Sequence, residues 1–92
     1  MTDVNRNQKP IAVLCDKLSH GFDHLLRQNN IVEYSLHRRE VFTQSGQWYV
    51  LFDDPQQLKS WEISDFIIAP GLGNSLKAEQ LVYEAGLRLR KK

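Results

Sequence analysis

Residues 70–81 read PGLGNSLKAEQL, with two glycines between an apolar run and a helix-like segment. Backbone N–H groups at a helix N-terminus can hold a phosphate in that context. A Walker-type loop, however, needs Gly-Lys-Ser/Thr four residues after its first glycine, and Gly71 is followed by Leu, Gly, Asn and Ser. A dinucleotide fingerprint wants glycine or alanine where Leu76 stands, inside a larger βαβ unit. The loop therefore reads as a strand-to-helix turn in which glycine supplies left-handed backbone.

His20 and His24 are one helical turn apart, the spacing of two metal ligands, with Asp16 or Asp23 as a third. Lys17 and Arg27 lie on the same strip and repel a cation, so the pair reads as solvated surface histidines and no metal is expected. Cys15 falls on an apolar stripe that neither histidine shares, as a small core residue does. Asp53 and Asp54 look like a strand end and a helix cap. No nucleophile, base and orienting group can be assembled from these spacings, so the expectation is a protein that is not an enzyme and uses no cofactor.

The remaining functional signal is positive charge. His37, Arg38 and Arg39, with Tyr49 opposite them and Arg88, Arg90, Lys91 and Lys92 at the C-terminus, mix cations with an aromatic as surfaces that meet nucleic acid or protein do. Twelve Lys and Arg stand against eleven Asp and Glu, however, so the whole molecule has no large field to steer it onto a polyanion.

These residues need elements to hold them. From Pro10 onward Ile11, Leu14, Cys15, Leu18, Phe22, Leu25 and Leu26 recur at spacings of three and four, which predicts a first helix ending near QNN at 28–30. The period then changes to two. Val32, Tyr34 and Leu36, and after TQSGQ Trp48, Val50 and Phe52, predict a β-hairpin with Gly46 in the left-handed position and Phe42 opposite Trp48. One hairpin face, Tyr34, Leu36, Val50 and Phe52, is expected to be buried; the other carries His37, Arg39, Val41, Tyr49 and Leu51 outward.

Asp54 and Pro55 then start a short helix. The stretch ISDFIIAP predicts a central or covered strand. Asn74 or Ser75 caps a last helix with an apolar stripe at Ala78, Leu81, Val82, Ala85 and Leu89.

The expected fold is α+β: a small, mostly antiparallel three-stranded sheet with two amphipathic helices packed on one face. One domain over 1–92 is expected, with 1–9 as a loose leader. Apolar runs fall far short of the ~20 residues of a spanning helix, the first ten residues lack a secretory layout, and a lone cysteine forms no internal disulfide. A reducing, cytoplasmic setting without a membrane partner is the expectation.

A tiny α+β domain built around VEYSLHRREVFTQSGQWYVLF, with no catalytic set and no export signal, resembles the inhibitors encoded by bacteriophages and mobile elements, such as anti-CRISPR proteins. The likeness is one of size and format over the whole chain, and no residue role is carried over from it. Near-neutral charge is a departure, because many such inhibitors are acidic mimics of nucleic acid. The resemblance implies steric block: the basic face docks on a host protein or RNA–protein complex, touching nucleic acid held there. The alternative is an independent nucleic-acid-binding protein that uses the same face.

Overall fold

The computed structural model describes residues 9–28 and 30–89. Its first element is an interior strand, β1, Ile11–Leu14, where the sequence predicts the start of a helix. The reason is two-sided burial. Ala12, Val13, Leu14 and Cys15 are all wholly inaccessible, which a helix with one buried stripe cannot achieve but a strand covered on both faces can. A short continuous apolar run carries no period of its own, so it merges with the helical spacing that follows. Helix α1 itself is Leu18–Gln28.

Three strands follow, β2 at Ile31–Ser35, β3 at Glu40–Thr43 and β4 at Trp48–Phe52. The expected long hairpin is thus a meander of three strands, because a tight turn over residues 36–39 breaks its first arm and Arg39 there takes φ 58°. The β3–β4 register is as the sequence predicts. Phe42 faces Trp48, their rings stacked at 6.0 Å, and Gly46 has φ 92°.

Asp54 caps a 3-10 helix, Pro55–Ser60, by accepting from Gln56 N–H. Strand β5, Asp65–Ile68, and helix α2, Leu76–Leu89, complete the order. Ser75 is the α2 cap, its Oγ accepting from Ala78 N–H at 3.1 Å.

The sheet order is β2-β3-β4-β1-β5. β1 pairs in parallel with both β4 and β5, while β3 is antiparallel to β2 and β4. This corrects the sequence expectation twice. The sheet is mixed and five-stranded rather than three-stranded and mostly antiparallel, and its helices lie on both faces rather than one. Ala12, Leu14, Val50 and Phe52 point to α2 and the 3-10 helix; Val13, Cys15, Val41 and Leu51 point to α1. The period of two along β1 and β4 divides one core into two layers. β5 is an edge strand rather than a central one, and its Ile68 is 53% exposed. Among the described residues no helix is long and apolar enough to cross a membrane.

Candidate functional site

The turn that carries the basic residues is built locally. Ser35 ends β2 and its Oγ accepts from Arg38 N–H at 3.2 Å, while Arg39 N–H donates to Leu36 O. A left-handed non-glycine residue costs roughly 1–2 kcal/mol, and Arg39 offsets this through its side chain. Its Nη1 donates to Leu51 O at 3.2 Å and its guanidinium lies 5.4 Å from the Phe52 ring centroid. Arg39 therefore serves the fold.

Arg38 is well exposed, and its Nη1 stands 4.0 Å from Glu40, a buried carboxylate that also accepts from Trp48 Nε1 at 3.2 Å. His37 is exposed beside it. The other predicted contact residues are elsewhere. Tyr49 is half-buried against the layer under α1, because the hairpin face expected to be open is the one this helix covers, with Val41 and Leu51 fully buried. Arg88 donates to Lys59 O at 2.7 Å and lies 3.9 Å from Glu84. Helix α2 starts after the carboxyl end of β5 and returns, so Arg88 sits at the sheet end opposite the 36–39 turn. Arg90, Lys91 and Lys92, like residues 1–8 of the expected leader, lie outside the described residues.

What the turn does have beside it is apolar. Val32, Tyr34 and Leu36 are 50%, 56% and 65% exposed along the β2 edge, and Leu26 on α1 is 50% exposed. Tyr34 meets Phe22 edge-on at 6.2 Å, and Leu26 lies one helical turn beyond Phe22, so helix and strand contribute to one strip. The sequence analysis assigns Tyr34 and Leu36 to the core. Tyr34 instead lies across from Val41 and against Phe22 on the α1 face, away from Val50 and Phe52. The cause is that β3 separates the arms of the expected hairpin and β2 shifts register between Ile31 and Glu33; at the sheet edge Tyr34 stays half open.

The carboxyl ends of β1, β4 and β5 share one end of the molecule with this turn. Lys77, in the first turn of α2, donates to Asp16 O at 2.8 Å and stands 3.5 Å from its carboxylate, tying α2 to the loop after β1. Gly71 and Gly73 have φ of 93° and 76°, which is the turn role predicted for them. His20, His24 and Arg27 line a cleft of about 440 Å³ against Pro70 and Gly71. Asp23 there is held by Arg27 at 2.9 Å, and among the described residues no three His, Cys, Asp or Glu are placed to share a metal.

Comparison with known proteins returns no match to a family model, a curated protein or a solved structure. The reading therefore rests on geometry.

Cys15, the single cysteine of the chain, is shut away. Its Sγ is directed at Phe52 O at 3.6 Å, and burial, with Asp53 adding to it, pushes the thiol up to about 11. In the native protein at pH 8 it should resist alkylation, and react fully in denaturant. The raised value also sets a pH slope. The unfolded thiol ionises from about pH 9 while the folded one holds its proton, so this contribution to stability is complete below pH 9 and declines between 9 and about 11. Urea titrations at pH 8 and 10.5 should show that decline, and Cys15→Ala should reduce it. A native thiol that reacts as fast as a free one would contradict this burial.

Proposed function

We propose that this chain is a non-enzymatic binding module that docks on a host protein or RNA–protein complex and blocks it sterically, as an inhibitor of phage or mobile-element type does. The observation that carries the reading is the set of four half-exposed apolar side chains about the β2 edge, Leu26, Val32, Tyr34 and Leu36, beside the exposed His37 and Arg38. Aromatic anchors with arginine beside them are what interface centres use. The narrowed set of exposed cations favours protein contact over independent binding to DNA or RNA, which needs several phosphate contacts at once. Arg38 and His37 beside this set can still meet a phosphate already held in a complex.

The test is capture of the tagged chain's partner from its host cell with and without nuclease, using wild type, Tyr34→Ala, Leu36→Asp and Arg38→Glu. A stoichiometric protein partner that survives nuclease, and loses roughly 30-fold in affinity or more with Leu36→Asp, would support the reading. Loss of all binding on nuclease treatment would overturn it and promote direct nucleic-acid binding. So would a partner indifferent to all three substitutions.

A further inference from the structure

The two edges of the sheet, β2 and β5, are unlike. β2 changes register between Ile31 and Glu33, and a bulge with a charge beside it discourages a second strand. β5 is Asp-Phe-Ile-Ile, regular over its whole length against β1, with no proline, lysine or bulge. Such an edge is a template for pairing. We propose that it pairs with the same edge of a second copy of this chain, making one continuous ten-stranded sheet about a two-fold axis.

The register follows from the strand's own geometry. Phe66 and Ile68 pair with Ala12 and Leu14, which point to the α2 face, so Asp65 and Ile67 point to the other. Antiparallel strands joined about a two-fold must match faces, and the arrangement that pairs the most apolar surface sets Ile67 against the second copy's Ile67 and Phe66 against its Ile68. Asp65 then lies beyond the paired segment, and the two like charges are about four residues, roughly 13 Å, apart along the strands. Ala69 donates its N–H inward to Leu14 O, and alternation back along the strand turns the N–H and C=O of Ile67 inward to β1. Those of Phe66 and Ile68 turn to the free edge, where Asp65 Oδ1 accepts from Phe66 N–H at 2.8 Å in the single chain. Ile68 can thus exchange both of its backbone bonds with the second copy's Phe66, whose N–H leaves the Asp65 carboxylate to do so.

The helix above fits the same partner. α2 packs over β1, one strand in from the edge. In the joined sheet the two α2 helices are therefore three strand spacings apart, about 14 Å, wider than the 8–10 Å of bare helix packing. Large side chains must fill that gap, and they are present. Ile68, Val82 and Tyr83 stand exposed between β5 and α2 around a groove of about 470 Å³. Tyr83 reaches the flank of α2 turned to the 3-10 helix as well, where Gln80 and Glu84 line a second pocket with it and Arg88 donates to Lys59 O, so Ile68 and Val82 are the side chains confined to the β5 side. A formal charge of +1 per chain imposes little repulsion between copies. The paired strands are short, so the dimer is a weak one, dissociating in the micromolar range.

Sedimentation equilibrium of the full chain from low micromolar to near-millimolar concentration tests this. The expected result is a rise from one chain mass to two and no further. Ile68→Lys and Tyr83→Glu should each hold the protein at one chain mass throughout, and Leu36→Lys on the opposite edge should leave the dimer intact. A second measurement does not depend on variants folding: exchange of the Ile68 amide in wild type should slow as concentration rises. A monomer at the highest concentration, growth beyond two chains, a dimer untouched by Ile68→Lys, one dissolved by Leu36→Lys, or an Ile68 amide indifferent to concentration would each overturn the proposal.

Discussion

Phe52→Ala is expected to remove roughly 4 kcal/mol of stability and lower Tm by roughly 20 °C. Phe52 is fully buried at the end of β4, beside Leu14 in β1. Its ring meets Trp61 edge-on at 5.8 Å and carries the Arg39 guanidinium on its other contacts. Removing the ring opens a cavity in the layer under α2 and takes away part of what holds the left-handed turn at Arg39. A domain of this size has a total stability of only about 5–14 kcal/mol, so the variant should be close to unfolding at working temperature. Urea denaturation measures the loss, and Tyr34→Ala, more than half exposed, is the matched aromatic control with a loss below about 1 kcal/mol. Equal losses in the two variants would mean that the assignment of core and edge is wrong. Because Arg39 and Phe52 share a contact, Arg39→Ala and Phe52→Ala should be less than additive when combined.

The second large effect is at Gly21. Glycine within a helix ordinarily costs about 1 kcal/mol relative to alanine, and Gly86 in α2 behaves that way: a Cβ there meets nothing within 4 Å, so Gly86→Ala should stabilise the chain by about 1 kcal/mol. At Gly21 the sign reverses. A Cβ would lie 2.6 Å from Leu51 Cδ2 and 2.9 Å from Cys15 Sγ, two side chains that are wholly buried and have nowhere to retreat. Gly21→Val should cost roughly 3 kcal/mol through overpacking, with Gly21→Ala smaller but still unfavourable. Thermal unfolding of the three variants decides the matter. A stabilised Gly21→Ala would show that α1 does not sit on the sheet at this distance.

These contrasts also explain what the sequence could disclose. Features written within a few residues were legible. Gly46 and the Phe42–Trp48 pair set a hairpin register, Asp54 and Pro55 opened a helical turn, and Ser75 capped α2, because each is a local geometric need met by neighbours in the chain. What failed depends on partners far away. Ile11–Leu14 looks like the first turn of a helix until β4 and β5, nearly forty and over fifty residues later, flank it. The face with Val41 and Leu51 looks open until α1 is known to lie on it. Tyr34 and Leu36 alternate like core residues, and nothing in their spacing says that β2 is an edge. The candidate site suffered most. Of the residues expected to form a basic face, His37 and Arg38 stand together at the surface, Arg39 and Tyr49 are taken up by packing, and Arg88 is at the far end of the sheet.

The interior place of β1, between β4 and β5, constrains how the molecule is made as well as how it is held. A strand at positions 11–14 whose two neighbours are at 48–52 and 65–68 has no ladder to join while the first half of the chain is being synthesised. Only the β2–β3–β4 meander can assemble from adjacent segments, and it can do so early. Closing β1 and then β5 onto it must bring distant segments into parallel register, the slow kind of step in which loop entropy is spent before contacts repay it. Until residue 52 is free to pair, IAVLC is an unpaired apolar strand with both edges open, and until residue 68 is free one edge stays open. The fold is thus completed from its last third backwards, and substitutions that weaken β5 should lower the yield of soluble protein more than their effect on the finished structure implies.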